Sequence, residues 1–88
     1  KFLRARAATN LSYLYFLEGD YDSGEKYADM SVDADQYNAK ALVNKGNFLY
    51  MRGEFDRAKA YYDQALQVEA DNIEAIYKKL EERRDTAD

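Results

Sequence analysis

The segment DYDSGE, Asp20 to Glu25, has the residue types of a calcium loop: three carboxylates, a serine hydroxyl and a glycine within six positions. Hard cations take such oxygens, and the helix–loop–helix calcium loop needs its glycine sixth and a bidentate glutamate twelfth. Counted from Asp20, the glycine arrives fifth, as Gly24, and the twelfth residue is Ser31. The spacing misses the geometry that wraps an ion, and no metal is expected.

Other chemistry is thinner. The 88 residues include no cysteine and no histidine, which removes disulfides, the usual zinc ligands, the thiol nucleophile and the commonest general base. No serine is placed with a base, and no glycine-rich loop offers to cradle phosphate. Neither catalysis nor a cofactor is expected. A net charge of −4 opposes the positive field that nucleic-acid binding requires; the cluster Lys1, Arg4 and Arg6 reads as the solvated start of a helix. The mixed-charge stretches Glu18 to Lys26 and Glu81 to Asp85 read as solubility and i,i+4 pairing. No apolar run approaches the roughly 18 residues needed to span a membrane, and no signal peptide is visible. A soluble, cytoplasmic protein with no membrane partner is the expectation.

Proline is absent and glycine occurs only four times, while alanine, leucine, tyrosine, lysine and glutamate dominate. This is a helical composition with no sustained strand alternation. Shifted against itself by 34 residues, the chain aligns without a gap. Ala5 meets Ala39, Asn10 meets Asn44, Gly19 meets Gly53, Asp22 meets Asp56, Tyr27 meets Tyr61 and Asn38 meets Asn72; Phe16 pairs with Tyr50, Tyr21 with Phe55 and Val32 with Leu66. Such self-similarity is the mark of a structural repeat.

Each unit reads as two helices. Ala8, Leu11, Leu14 and Tyr15 form an apolar stripe that ends at Gly19, a left-handed cap. Asp20 then starts a second helix whose inward face is Tyr21, Gly24, Tyr27, Ala28 and Ser31. The second unit repeats the plan with Ala41, Leu42, Phe48 and Leu49 before Gly53, then Phe55, Ala58, Tyr62, Ala65 and Leu66. Asn38 and Asn72 are the expected N-caps of new helices. Turns this short make antiparallel hairpins. Ser12, Gly46, Gly24, Ala58, Ser31 and Ala65 are small residues set for close helix approach, with Gly24 expected either at a tight contact or in a slightly loose helix. The whole is one all-α domain, residues 1–88: repeat one at 5–38, repeat two at 39–72, and a partial repeat or solvating helix at 73–88. A domain of this size has a thin core.

The 34-residue spacing and the segment ALVNKGNFLYMRGEFDRAKAYYDQALQVEADN, Ala41 to Asn72, resemble the tetratricopeptide repeat family. The resemblance implies a solenoid of about two and a half stacked hairpins and a protein-binding role. Leu42 and Ala8 stand where that family often has tryptophan, Lys45 replaces a usual leucine, and Gln36 and Ala70 replace the closing proline. Narrower words, AATNLSYLYFLEGD, YADMSVDADQYNAKALVNKGN and GEFDRAKAYYDQAL, resemble the polaris family, the repeat subunit of the complex-B intraflagellar transport train. That likeness covers Ala7 to Tyr77 and implies other transport subunits as partners and a place in the cytoplasm, the cilium and its basal body. A generic tetratricopeptide adaptor, or an engineered fragment that self-associates, is the alternative.

In the resembled family the first helix of each pair lines a concave surface. This implies a partner groove of Arg6, Thr9, Tyr13, Phe16 and Leu17 in unit one and Lys40, Val43, Asn47, Tyr50 and Met51 in unit two, with Tyr77 at its end. The basic clamp that some members use for a terminal carboxylate is missing, since its places hold Thr9, Tyr13, Val43, Asn47, Tyr77 and Glu81. An extended or helical peptide held by apolar side chains is expected instead, with Asn47 and Asn44 bonding its backbone. The same stripe equally suits packing against a further repeat or a second copy of the chain, a homo-oligomer. As for DYDSGE, its counterpart EFDRAK, Glu54 to Lys59, puts two cations where ligands would stand, so the segment reads as the bend of a repeat.

Overall fold

The computed structural model describes residues 2–86, with side chains described for residues 4–81. They form four helices: α1 (Phe2–Glu18), α2 (Tyr21–Ala34), α3 (Ala39–Met51) and α4 (Phe55–Thr86). α1 packs on α2 and α3 on α4, and α2 against α3 joins the two hairpins. The expected all-α array of stacked hairpins is what forms.

The turns follow from their glycines. Gly19 and Gly53 take φ of +82° and +85°, a region open to glycine at little cost. Each closes a Schellman motif: Gly19 N–H donates to Phe16 O and Asp20 N–H to Tyr15 O, at 3.1 and 3.0 Å, and Gly53 and Glu54 repeat the pattern onto Tyr50 O and Leu49 O. The next helices start on side-chain caps: Asp20 Oδ1 accepts from Ser23 N–H and Asn38 Oδ1 from Ala41 N–H, both at 3.3 Å.

The remaining acids of DYDSGE bind the second hairpin to the first. Lys45 Nζ lies 2.7 Å from Glu25 Oε1 and 2.7 Å from Asp29 Oδ1. Arg52 reaches Asp22 at 3.3 Å and Glu25 Oε2 at 2.5 Å, the latter off the hydrogen-bonding line, so that Oε2 is charge-paired without a hydrogen bond. Burial lowers the pKa of Lys45, but hydrogen bonds to Asp29 and Glu25 raise it and prevail. The position where the resembled family keeps leucine therefore holds a buried cation with its counter-charges.

Close approach is built on glycine. A Cβ at Gly46 would stand 2.6 Å from the Tyr62 ring, and one at Gly24 would run into Phe48. Phe48, Leu42 and Leu49 are buried completely or nearly so. Around Phe48 the rings of Phe16 and Tyr21 lie edge-on, with centroids 5.4 and 6.3 Å away.

Three expectations change. Leu11 and Leu14 of the expected stripe are exposed, although Phe48, the repeat counterpart of Leu14, is buried; Phe48 is covered by α2 of the hairpin before it, and no described element stands at that place beside Leu14. Phe55 and Leu66, expected to point inward, are also exposed. Most of all, Asn72 caps nothing, because α4 runs unbroken through it to Thr86.

The cause lies in the preceding turn. In unit one, Asp35 Oδ1 accepts from Tyr37 N–H at 3.0 Å, a short-side-chain turn that breaks the helix, and Asn38 Nδ2 donates to Thr9 Oγ1 at 3.2 Å. In unit two Glu69 replaces Asp35 and is too long for that turn, Ala70 is the best of helix formers, and Val43 replaces Thr9. Gln67 and Asp71 then bond across one helical turn at 2.9 Å, and the helix continues. Its far half stands clear of the hairpins. The radius of gyration is accordingly 15.9 Å, with extents of 55 × 28 × 19 Å, against about 12 Å for a compact chain of this length.

Candidate partner-binding cleft

The side-by-side placement of α1 and α3, with Glu69 of α4 at the edge, leaves a cleft of about 620 Å³ that continues into a smaller stretch of about 360 Å³. Arg6 and Lys40 sit at one end with Asp35, Tyr37 and Glu69 around them; Tyr13 and Val43 line the other. Two cations thus face two carboxylates, and the apolar side chains follow along the same trough. Tyr13 and Val43 are exposed, as are Arg6 and Lys40, so the lining is open to a second polypeptide.

Thr9 forms the floor. It is only 6% exposed, and its hydroxyl donates to Ala5 O at 2.7 Å and meets Ser31 Oγ across the α1–α2 interface. Ser31 also reaches Ala5 O at 3.1 Å. Asn44 Nδ2 donates to Thr9 O at 3.2 Å and to Ser12 Oγ at 2.9 Å, while Ser12 donates to Thr9 O at 2.7 Å. These groups belong to one buried polar network joining α1, α2 and α3. Ser12 and Ser31 are more than spacers. The amide of Asn44, expected on a ligand backbone, is spent inside the fold.

The other expected residues are spread more widely. Phe16 is half-buried among Tyr21 and Phe48. Asn47 is half-buried and accepts from the Tyr62 hydroxyl at 2.5 Å; burial, and then the charge of Tyr50, push the Tyr62 phenol up. Tyr50 leans on Phe55, centroids 5.0 Å apart. Leu17 and Met51 are exposed at the closing turns of α1 and α3. Tyr77 lies on the free half of α4, beside a separate depression with Ala70 and Ile73.

Asn10, Tyr37 and Glu69 line the cleft without having been expected there. The repeat pairing of Asn10 with Asn44 was a signal for the first. Glu69 carried none, since its place depends on α4 failing to break at residues 70–72.

No group of three histidine, cysteine, aspartate or glutamate side chains among the described residues is arranged to hold a metal ion. No helix among them is long and apolar enough to cross a membrane. The family model of the tetratricopeptide repeat matches residues 39–72, which are α3, its turn and the first part of α4. The second hairpin thus matches the tetratricopeptide repeat, a kind of repeat that in general mediates protein–protein interaction.

Proposed function

We propose that the chain is a non-catalytic scaffold segment that holds a partner polypeptide in the cleft between α1 and α3, as part of an intraflagellar transport particle of the complex-B kind. One observation supports the binding role above the others: Tyr13 and Val43 stay exposed beside Lys40 and Glu69, with Arg6 further along the same cleft, an apolar strip with charges of both signs at one end. That combination suits a peptide that inserts side chains while its own charges pair at the rim.

The transport assignment rests on sequence words, above all YNAKALVNKGN. Asn44 and Lys45 within that word make the inter-hairpin bonds described above, chemistry that a helical repeat does not in general demand. Partners would be other subunits of the train, in the cytoplasm, the cilium and its basal body.

The test is a pull-down with reconstituted complex-B subunits, run beside a chaperone-tail peptide. Retention of a transport subunit, lost in Tyr13→Ala/Val43→Ala at unchanged melting temperature, supports the proposal. Retention of the chaperone tail alone overturns it in favour of a generic adaptor. If the double variant instead unfolds or changes oligomeric state, the stripe is structural and the cleft is not the binding face.

A further inference from the structure

The free half of α4 carries its own apolar seam. Leu66, Ala70, Ile73, Tyr77 and Leu80 follow one another at alternating spacings of four and three residues, the seam that one helix offers to another. All four large members are exposed, Ile73 by 66% and Leu80 by 58%. A long helix carrying such side chains in water is short of a neighbour. The surface is also shaped: around the small side chain of Ala70 lies a depression of about 510 Å³, bordered by Ile73, Tyr77, Glu74, Lys78 and Glu81. It is a hole of the kind that a knob from a facing helix fills.

The charges beside the seam select the occupant. Helical geometry places Glu74 and Glu81 along one flank and Glu69 along the other, whereas Lys78 and Lys79 lie further round; Lys78 leans back toward Glu74 at 3.8 Å. A second copy laid antiparallel, with Ile73 on Ile73, would bring Glu74 against Glu74, and a parallel copy would set Glu69 against Glu74. Both arrangements oppose like charges across a helix pair. A helix with the same apolar seam and lysine or arginine at its flanks meets carboxylates instead.

We propose that the far half of α4 is a docking surface for a basic amphipathic helix of another protein, paired as a two-stranded coiled coil. Ile73 and Leu80 are its apolar anchors, Ala70 forms the hole, and Glu69, Glu74 and Glu81 set the preference for a cationic partner. Apart from Glu69, which also borders the α1–α3 cleft, the two surfaces share no residue, so Ile73 and Leu80 can be changed without touching the cleft.

The test uses the whole chain and two synthetic helices with identical leucine seams, one flanked by lysine and the other by glutamate, read by fluorescence anisotropy. The lysine peptide should bind at least about tenfold more tightly and weaken as salt rises. Glu74→Lys/Glu81→Lys should reverse the preference. Ile73→Ser/Leu80→Ser should abolish binding without lowering the melting temperature of the hairpins, and Tyr13→Ala/Val43→Ala should leave it intact. Equal binding of both peptides, or of neither, overturns the proposal. So does a concentration-dependent dimer in sedimentation that Ile73→Ser/Leu80→Ser dissolves, since the occupant would then be a second copy.

Discussion

The ring of Phe48 lies against the backbone of Gly24, so that a Cβ there would come within 2.7 Å of Cε1 and 3.1 Å of Tyr15 Cβ. Phe48 has no room to withdraw, being fully buried and edge-on to Phe16 and Tyr21. Gly24→Ala gains about 1 kcal/mol of helix propensity against an overpacking cost of about 1–3 kcal/mol. The variant is therefore expected to be less stable by about 1 kcal/mol in urea denaturation, and Phe48→Leu beside it should recover part of the loss. A Gly24→Ala chain more stable than its parent would contradict the tight contact.

Lys45 gives an alkaline signature. Its folded pKa is raised above the ordinary 10.5 because hydrogen bonds to Asp29 and Glu25 outweigh the opposing effect of burial. The stabilisation it contributes is fully present below about pH 10.5 and is lost as pH climbs through the folded value. Tyr62, raised above its ordinary 10.0 by burial and then by Tyr50, acts in the same direction. Stability measured by urea should accordingly fall above about pH 10. In Lys45→Met that fall should be shallower, with a loss of about 2–4 kcal/mol at neutral pH because Glu25 keeps only Arg52 opposite it. An unchanged alkaline slope in the variant would show that the ion cluster does not couple the hairpins.

Asn38 and Asn72 occupy the same place in the repeat and do different work. Asn38 caps α3 and donates to Thr9; Asn72 is inside α4. Asn38→Ala should cost about 1–2 kcal/mol, whereas Asn72→Ala should be neutral or stabilise by a few tenths of a kcal/mol. Equal losses at the two positions in parallel urea titrations would mean that α4 breaks at Asn72 in solution.

These two residues also mark what the sequence discloses. The 34-residue repeat, the glycine caps, both hairpins and the tight place at Gly24 are legible because each depends on local geometry or on periodicity. The fate of Asn72 is not, since it turns on Glu69 for Asp35 and Val43 for Thr9, substitutions whose meaning appears only when α1, α2 and α3 are packed. The same holds for the cleft. Exposure of Tyr13, Val43, Arg6 and Lys40 follows from helix phase, but Thr9, Asn44, Asn47 and Phe16 are taken up by partners distant in sequence. A residue type and a helical phase name a face; they do not say which hydroxyl or amide is already in use.

The polar network around Thr9 gives the last prediction, because the second repeat supplies its apolar version. Thr9, Ser12 and Ser31 correspond to Val43, Gly46 and Ala65, so the same hairpin interface is built once with hydroxyls and once without. Thr9→Val alone leaves the half-buried Asn38 amide without its acceptor and the Ser31 hydroxyl with only Ala5 O, and should cost about 1–3 kcal/mol. Ser31→Ala alone removes a donor to Ala5 O and a partner of Thr9, at a similar cost. The double variant replaces both sides of the Thr9–Ser31 contact by the pair that already packs in the second hairpin. Its loss should therefore fall short of the summed single losses by about 0.5–2 kcal/mol. A double-mutant cycle in urea reads this coupling directly, and strict additivity would mean that the two hydroxyls act separately. The loss that remains in the double variant falls to Asn38, whose Nδ2 has lost the Thr9 oxygen, and Asn38→Ala in that background should cost less than it does in the parent.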